Sequence, residues 1–306
     1  MPLGPPDFRP ECLVIGAGPA GLVAAVYLAR YCRRTLVIDG GQSRAALIPV
    51  THNLPGFPDG IAGLDLLERL RCQAERAGAQ IVQASIERLD HHPEGFVAHS
   101  ADDCIAAPKV ILATGLVDRD PGFGDLRAAT LAGAVRWCPI CDGFDVRDRN
   151  LAILAEAEHG IPHALFLRTY TRHLTLFIPK GGKAISAQER MQLDELGIKL
   201  ITDPISAVRA DGCMAVVDLV DGRVERFDSL YPMLGCHNRS ELALGLGAEC
   251  DADGALKVDA HQQTSVPGLY AAGDLVDAIN QIIVGTAHSA IAATAVHNAL
   301  SINLRQ

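Results

Sequence analysis

The sequence predicts an α/β fold in which parallel strands alternate with helices, and three features indicate it. A short apolar strand at 11–15 leads into a glycine-rich turn, a helical pattern over 22–30 and a second strand over 35–38. Two further apolar strands, at 110–112 and 269–272, also end in small residues. Strands that alternate with helical patterns are typical of βαβ units and a parallel sheet. With 306 residues, of which 49% are hydrophobic, the chain can form one large or two medium domains.

The first turn has the spacing of a nucleotide-binding loop, because Gly16, Gly18 and Gly21 follow the strand as GxGxxG. In such a loop the first glycine permits a tight turn, the second lets the backbone approach a pyrophosphate, and the third lets the helix pack against the strand. The start of the helix faces the phosphates with partial positive charge. Asp39 ends the second strand, where its carboxylate can accept hydrogen bonds from ribose hydroxyls. The complete pattern predicts dinucleotide binding.

A second signature lies near the C-terminus, where a predicted strand ends in Gly273-Asp274 before a helical pattern over 287–300. Gly273 allows close approach of the backbone, and Asp274 is suited to bind the ribityl hydroxyls of a flavin. A plain strand–turn–helix with a capping aspartate is the alternative. The strand at 110–112 ends in a similar small-residue turn, Thr114-Gly115.

A Cys-x-x-Cys motif with an adjacent acid carries the most distinctive chemistry of the chain. Cys138 and Cys141 are spaced to form a small disulfide, and a helix start lowers the pKa of the thiol that faces it. Asp142 can exchange a proton with the neighbouring sulfur. The same motif is also half of a zinc site, for which Cys236-His237 is the other candidate. The nucleotide signatures on either side favour the redox interpretation, with no metal.

The composition argues against several classes of function. A net charge of −9 gives no support for nucleic-acid binding, and no apolar run reaches the roughly 18 residues of a membrane helix. The segment 1–10 is proline-rich and lacks the layout of a signal peptide. Nine scattered cysteines, an odd number, favour a reducing compartment. We therefore expect a cytoplasmic protein without nucleic-acid or membrane partners.

Five motifs together resemble the low-molecular-weight thioredoxin reductase family of flavoproteins, over nearly the whole chain. In the order of the family they are GAGPAG, Asn53-Leu54-Pro55-Gly56, ATG, CPICDG and AAGD. The resemblance implies two Rossmann-like dinucleotide-binding domains, the smaller inserted into the larger, in a subunit that forms a homodimer. The FAD-binding domain would comprise 1–118 and 236–306. The inserted module, which carries the redox motif, would comprise 119–235.

The resemblance also implies which residues bind FAD and which do chemistry. Cys141 would lie next to the flavin, Cys138 would attack the substrate, and Asp142 would be the acid–base partner. The substrate would be a thioredoxin-like protein or a small-molecule disulfide or dithiol. The residues implied in FAD binding are Gly16, Gly18, Pro19, Ala20, Gly21, Asp39, Gly40, Asn53, Thr114, Gly115, Gly273, Asp274, Gln281 and Ile282.

The chain departs from the family at the second nucleotide turn, where relatives that use NADPH have GxGxxA. Here a strand at 151–154 is followed by Ala155, Glu156, Ala157 and Glu158, and a helix is predicted over 162–170. Alanine side chains fill the space that a pyrophosphate needs, and the two carboxylates repel its charge. The basic residues expected for a 2′-phosphate are also missing at 178–180. We therefore predict no productive NADPH binding; a rearranged loop that binds NAD(P)H weakly is the alternative.

Without NADPH, electrons must enter or leave through another partner. Relatives that lack this turn include ferredoxin-dependent reductases, dithiol oxidases that use oxygen, and proteins with a second flavin nucleotide in the vacated site. A disulfide reductase served by ferredoxin or another flavin is our main prediction. The rivals are a small-molecule dithiol oxidase and a non-catalytic flavin-binding redox sensor. His288, inside the last predicted helix, is either a base near the flavin or dithiol or a structural histidine.

Overall fold

The computed structural model describes residues 3, 8–178 and 185–304. Its strands are β1 (Cys12–Ile15), β2 (Thr35–Asp39), β3 (Gln80–Gln83), β4 (Arg88–His92), β5 (Gly95–His99), β6 (Cys104–Ala107), β7 (Lys109–Leu112), β8 (Leu116–Asp118), β9 (Leu151–Ala155), β10 (Leu174–Phe177), β11 (Lys199–Ile201), β12 (Ile205–Asp211), β13 (Met214–Leu219), β14 (Val224–Phe227), β15 (Ser229–Met233), β16 (Cys236–Asn238) and β17 (Leu269–Ala271). Its helices are α1 (Pro19–Arg30), α2 (Gly63–Ala77), α3 (Leu126–Leu131), α4 (Pro139–Asp142), α5 (Ala157–Leu167), α6 (Ala187–Glu195), α7 (Glu241–Leu244) and α8 (Ile282–Ala299). Short 3-10 turns cover Arg44–Leu47 and Gly143–Val146.

The chain divides into two units. The first comprises 1–46, 62–117 and 237–306, and the second comprises 47–61 and 118–236. The chain passes between the units after residues 46, 61, 117 and 236. The segment 47–61, which we expected in the first domain, groups with the second unit. It is closed by a bridge between Thr51 and Ile61, and His52 Nδ1 lies 3.0 Å from Asp145 Oδ2 in the same unit.

A five-stranded parallel sheet in the order β17-β7-β1-β2-β3 forms the centre of the first unit. All four residues of β1 are buried, as expected of a strand that is covered on both faces. Cys12 and Val14 pack in the cluster that contains α1 and α8. Leu13 and Ile15 point the other way, into a cluster with residues of the antiparallel sheet β4-β5-β6. One face is therefore covered by helices and the other chiefly by strands and loops.

Helices α1 and α8 approach each other through small residues. Ser289 Oγ lies 2.7 Å from the carbonyl oxygen of Ala20 and 2.8 Å from that of Gly285. A Cβ added to Gly285 would lie 3.1 Å from Cα of Gly273, so the turn after β17 also packs against α8. This packing fixes the start of α1 and the first turns of α8 beside the carboxyl edge of the sheet.

The second unit has its own parallel sheet, in the order β11-β10-β9-β15, and an antiparallel sheet β12-β13-β14. Every residue of β9 is buried, and α5 packs against β9, β10 and β15. Helix α6 begins with a capping box in which Ser186 Oγ accepts from the Glu189 N–H at 3.2 Å and Glu189 Oε2 accepts from the Ser186 N–H at 2.7 Å. The second sheet is thus a βαβ arrangement like the first.

The predicted strands and helices near the two nucleotide turns are observed within a few residues, with one difference. The helix after β9, predicted over 162–170, spans Ala157–Leu167 and contains Pro162 in its interior. Proline removes one N–H from the helix, yet Ile161 and Ala164 lie buried on the core side and hold the helix through that position. Among the described residues, no helix is long and apolar enough to cross a membrane.

Candidate active site

The carboxyl edge of the first sheet brings together most residues predicted to bind FAD. Ile15 is in register with Leu112 and with Ile38, and Ala271 is also in register with Leu112. The residues that follow these positions therefore lie side by side on neighbouring strands. They are Gly16 to Gly21 after β1, Asp39 and Gly40 at the end of β2, Thr114 and Gly115 after β7, and Gly273 and Asp274 after β17.

The turn after β1 is close-packed in a way that only glycine allows. Gly16 has a φ of +110°, and a Cβ at this residue would lie 2.2 Å from the carbonyl oxygen of Ala113. A Cβ on Gly21 would lie 1.8 Å from the carbonyl oxygen of Gly16. The first and third glycines of the motif therefore serve the packing of turn, helix and sheet, as the spacing predicts.

The start of α1 is open to a ligand. Gly18 is the N-cap residue, Pro19 and Ala20 follow it, and no described side chain caps this helix end. A Cβ on Gly18 would meet only Ser43 Oγ, at 3.4 Å, so the missing side chain leaves free space above the turn. Exposed N–H groups at a helix start bind phosphate oxygens. This cradle fits the pyrophosphate of FAD.

Asp39, which we predicted to bind ribose, is already held in position. Its Oδ1 accepts a hydrogen bond from the Gly41 N–H at 2.8 Å, and its Oδ2 is paired with the Arg71 guanidinium of α2. The carboxylate is thus fixed at the end of β2, next to exposed Gly40. Each carboxylate oxygen has a second lone pair, so these bonds are compatible with a ribose ligand.

The turns after β7 and β17 are anchored from neighbouring segments. Thr114 Oγ1 donates to the carbonyl oxygen of Arg239 at 2.7 Å, and the Arg239 N–H donates to the carbonyl of Gly115 at 2.9 Å. Asp274 Oδ2 lies 3.9 Å from Nη1 of Arg44. The predicted binding residues of these turns are therefore rigidly placed.

His288, on α8, has a buried Nδ1 that finds no hydrogen-bond partner among the described residues. Burial lowers the pKa of His288, and the nearby charge of Asp274 opposes that shift. Such an orphaned polar atom is what a bound polar cofactor would satisfy. Gln281 is the N-cap of α8 and Ile282 its first residue, and no described side chain caps this end. The residues of the first unit therefore fit FAD.

The predicted redox motif forms a disulfide between Cys138 and Cys141 in the second unit. Cys138 is the N-cap of α4, and its Sγ lies 3.2 Å from the backbone nitrogen of Cys141. Because α4 has only four residues, the Cys141 N–H, rather than a long helix dipole, would stabilise negative charge on the Cys138 sulfur once the disulfide is reduced. Ile140, between the cysteines, is 51% exposed.

The carboxylate of Asp142 is bonded at both oxygens. Nη1 of Arg136 donates to Oδ2 at 2.9 Å, and the hydroxyl of Tyr231 donates to Oδ1 at 2.8 Å. Burial raises the pKa of Asp142, while the charge of Arg136 and the Tyr231 hydrogen bond oppose the rise. A carboxyl group in this environment can hold a proton at a higher pH than a surface aspartate.

The turn between β9 and α5 carries two alanines and two glutamates. Ala155 and Ala157 are buried, and Glu156 occupies the N-cap position of α5 with its side chain exposed. Glu158 adds a second carboxylate in the first turn of the helix. Of the predicted 2′-phosphate region, only Ile178 is described; 179 and 180 lie outside the described residues.

The remaining candidates from the sequence are placed as follows. Asn53 belongs to the second unit, where its Oδ1 accepts a hydrogen bond from Thr51 Oγ1 at 2.9 Å. Within 3, 8–178 and 185–304, no three His, Cys, Asp or Glu side chains are grouped to hold a metal. Cys236 lies on β16, and the candidate zinc half-site at Cys138 and Cys141 is joined as a disulfide.

Sequence reasoning missed four residues that contact predicted site residues. Arg71 pairs with Asp39, and Arg44 lies near Asp274. Arg136 and Tyr231 bond Asp142. Of these four residues, only Arg136 lies close in sequence to the residue that it contacts, two positions before the first cysteine of the motif. Only its role could therefore have been suspected from the sequence.

Comparisons with known proteins agree with this geometry. The family model for "Pyridine nucleotide-disulphide oxidoreductase" matches residues 10–294. The thioredoxin reductase of Mycolicibacterium smegmatis is 32% identical over 294 residues, which cover 93% of this chain and 94% of the relative. The crystal structure of the atypical thioredoxin reductase TRi from Desulfovibrio vulgaris Hildenborough is 34% identical, with a TM-score of 0.53 and coverage of 95% and 97%.

The fold is that of thioredoxin reductases. The crystal structure of the thioredoxin reductase from Streptococcus pyogenes MGAS5005 superposes with a TM-score of 0.86 at 22% identity. The match covers 95% of this chain and 98% of the other. At this level of identity the likeness concerns the fold alone.

Proposed function

This chain belongs to the pyridine nucleotide-disulphide oxidoreductase family, and on that premise we propose that it reduces a disulfide with electrons that do not come from NADPH. It is a flavin-dependent disulfide oxidoreductase of the thioredoxin reductase type. The observation that carries the proposal is the combination of the disulfide at Cys138 and Cys141 with an acidic β9–α5 turn in the same unit. The disulfide would supply the chemistry, and the acidic turn would disfavour the usual hydride donor.

FAD, when bound, accepts or supplies two electrons. The residues that would hold it are those of the first unit's carboxyl edge. The start of α1 would bind the pyrophosphate, Asp39 the ribose, and Asp274 the ribityl chain. The start of α8, at Gln281 and Ile282, would lie against the ring system, as the resemblance implies. Asn53, in the second unit, is implied in the same way.

The dithiol chemistry balances with two electrons and two protons. Reduction of the Cys138–Cys141 disulfide breaks one S–S bond and yields two thiols. The Cys138 thiolate then attacks the disulfide of the substrate, a mixed disulfide forms, and Cys141 resolves it while the second substrate thiol leaves. Asp142 donates a proton to a departing thiolate or accepts one from an attacking thiol. The hydrogen bond from the Cys141 N–H favours Cys138 as the attacking sulfur.

Lack of NADPH use is supported by charge and space at the β9–α5 turn. Buried Ala155 and Ala157 take the positions of the glycines in the family's motif, and Glu156 places a carboxylate at the helix start. Two like charges about 4 Å apart repel by about 1 kcal/mol in water, the value suited to exposed carboxylates, and by more where water is excluded. The proposed electron donor is reduced ferredoxin or another flavin. As a second possibility for this turn, we propose that it binds a second nucleotide or flavin.

A thioredoxin-like protein is the proposed substrate, because two relatives are named thioredoxin reductase and the redox motif is open at Ile140. The competing role, a small-molecule dithiol oxidase that uses oxygen, calls for an apolar, enclosed cleft at Cys138. We further propose a cytoplasmic homodimer, as the resemblance implies.

Anaerobic reduction of the yellow protein tests the proposal. NADPH is expected to leave the visible flavin absorbance unchanged, whereas reduced ferredoxin bleaches it and then supports reduction of a thioredoxin. Rapid bleaching by NADPH would overturn the choice of donor. Cys138→Ser and Cys141→Ser are each expected to abolish disulfide reduction, and only Cys141→Ser should remove a long-wavelength thiolate–flavin absorbance. Identical spectra in the two variants would contradict the assignment of inner and outer sulfur.

A further inference from the structure

Two side chains from outside the redox motif enclose the carboxyl group of Asp142. The Arg136 guanidinium donates to one oxygen at 2.9 Å, and the Tyr231 hydroxyl donates to the other at 2.8 Å. We call Arg136 and Tyr231 the Asp142 clamp. With one donor on each oxygen, the carboxyl plane has a single favoured orientation.

One arm of the clamp lies in the parallel sheet of the second unit, and the other, in the segment before α4, is hydrogen-bonded to that sheet. Tyr231 lies on β15 with no exposed surface. The backbone N–H of Arg136 donates to the carbonyl of Leu230, also on β15, at 2.9 Å. Nε of Arg136 donates to Ser229 Oγ at 3.1 Å, and Ser229 Oγ donates to the carbonyl of Gly133 at 3.2 Å. Both arms of the clamp are thus fixed by one strand.

The clamp and the surroundings of Asp142 shift its pKa in opposite directions. Burial favours the neutral carboxyl group and raises the pKa of Asp142, and the charge of nearby Asp145 acts in the same direction. The charge of Arg136 and the hydrogen bonds from both arms favour the carboxylate. Burial also raises the pKa of Tyr231, so its hydroxyl stays a proton donor to Asp142 throughout the working pH range. The charged groups that act on Asp142 are therefore Arg136 and Asp145.

We infer that Arg136 and Tyr231 are positioning residues that orient the Asp142 carboxyl group and set the pH at which it exchanges a proton with the Cys138–Cys141 pair. This inference rests on the proposed role of Asp142 as acid–base partner. When Asp142 gives its proton to a departing thiolate, the carboxylate that forms is stabilised by the two donors. When a thiol is oxidised, the same carboxylate takes the proton back. No atom or electron beyond the dithiol exchange is required.

The test is the pH profile of the dithiol exchange in the FAD-bound protein. The rate of flavin reduction by dithiothreitol is followed anaerobically across the pH range in wild type, Tyr231→Phe, Arg136→Met and Arg136→Lys. Loss of a donor to the carboxylate raises the pKa of Asp142, so the limb of the profile that belongs to Asp142 should move about one pH unit upward in Tyr231→Phe and Arg136→Met. Arg136→Lys, which keeps the charge, should move it less.

Two controls separate positioning from folding. Tyr170→Phe alters another tyrosine, whose ring lies against Gly143, and should leave the profile unchanged. In an Asp142→Asn background, Tyr231→Phe should produce no further shift. If both clamp variants lose rate equally at every pH, and the pH at which the rate changes stays the same, the inference is wrong and the clamp has only a structural role.

A second measurement does not depend on flavin turnover. Iodoacetamide alkylation of the reduced protein reports the thiol–thiolate equilibrium directly, and its pH profile should shift in the clamp variants as the flavin profile does. Unshifted alkylation profiles would also contradict the inference. If the wild type is alkylated normally but neither a dithiol nor ferredoxin reduces its flavin, the proposed function is wrong. The alkylation profiles of the clamp variants then still test whether Arg136 and Tyr231 affect the thiols.

Discussion

The β1–α1 turn of the first unit and the β9–α5 turn of the second share one strand–turn–helix plan. The N-cap of α1 is Gly18, with φ −72° and ψ −179°, and the N-cap of α5 is Glu156, with φ −72° and ψ 153°. Neither N-cap residue makes a capping hydrogen bond with its side chain. The first turn of α1 contains no acid, whereas that of α5 contains Glu158.

This comparison shows that backbone shape is not enough to make a phosphate site. The two N-caps have nearly the same backbone conformation, so both helix starts present N–H groups in the same way. They differ in the side chain at the N-cap. A Cβ at Gly18 would meet only Ser43 Oγ, whereas Glu156 brings an exposed carboxylate to the start of α5. A negative charge there would oppose a phosphate, so we expect the charge of one side chain to distinguish the two turns.

The largest expected effect comes from making the first turn like the second. In Gly18→Glu the backbone is already compatible with a side chain, and the new carboxylate lies where the FAD pyrophosphate would bind. Repulsion of up to about 4 kcal/mol predicts a loss of FAD affinity of about 100- to 1000-fold. Titration of apoprotein with FAD, read by flavin fluorescence, measures it. Gly18→Ser is the uncharged control; undiminished FAD binding by Gly18→Glu would refute a phosphate role for this turn.

A smaller effect is expected at the adenosine end of the first unit. Asp39→Asn keeps an oxygen acceptor for the Gly41 N–H but removes the charge that pairs with Arg71 and would bind ribose. Hydrogen bonds to a charged group are each worth about 1.5–3 kcal/mol, which predicts FAD binding about 10- to 100-fold weaker. The same fluorescence titration applies. Because Arg71 also loses its partner, Arg71→Met serves as the comparison, and equal losses in both variants would indicate that Asp39 acts only through Arg71.

The smallest effect is expected when the second turn is made like the first. Glu156→Gly together with Glu158→Ser removes two exposed carboxylates from the start of α5, together worth about 1–2 kcal/mol against a phosphate in water. We predict NADPH binding about 10-fold tighter than in wild type, by isothermal titration, with a gain that shrinks at high salt. Glu195→Gln, an exposed acid on α6, should show no gain. Tight NADPH binding by the wild type would contradict the prediction that the β9–α5 turn disfavours NADPH.

Local patterns in the sequence predicted the framework of both regions well. The strand, GxGxxG turn and helix around Gly16 follow from residues that lie next to one another, and the structure has them within a few residues. The Cys138–Cys141 disulfide follows from a spacing of three residues. Helix α5 begins at Ala157, five residues before the predicted start at Pro162. Buried Ala157 and Ile161 show that packing decided that boundary.

By itself the sequence determined the α/β class, the nucleotide turn and the redox motif, because each depends on short-range geometry that residue spacing encodes. It did not reveal that Tyr231 bonds Asp142, since the two residues are 89 positions apart and meet only when β15 joins the sheet of the second unit. The pairing of Arg71 with Asp39 arises in the same way, from helix α2 packing against α1 and against β3, the strand next to β2. Tertiary structure therefore decided the environment of each carboxylate, and that environment sets its protonation and orientation.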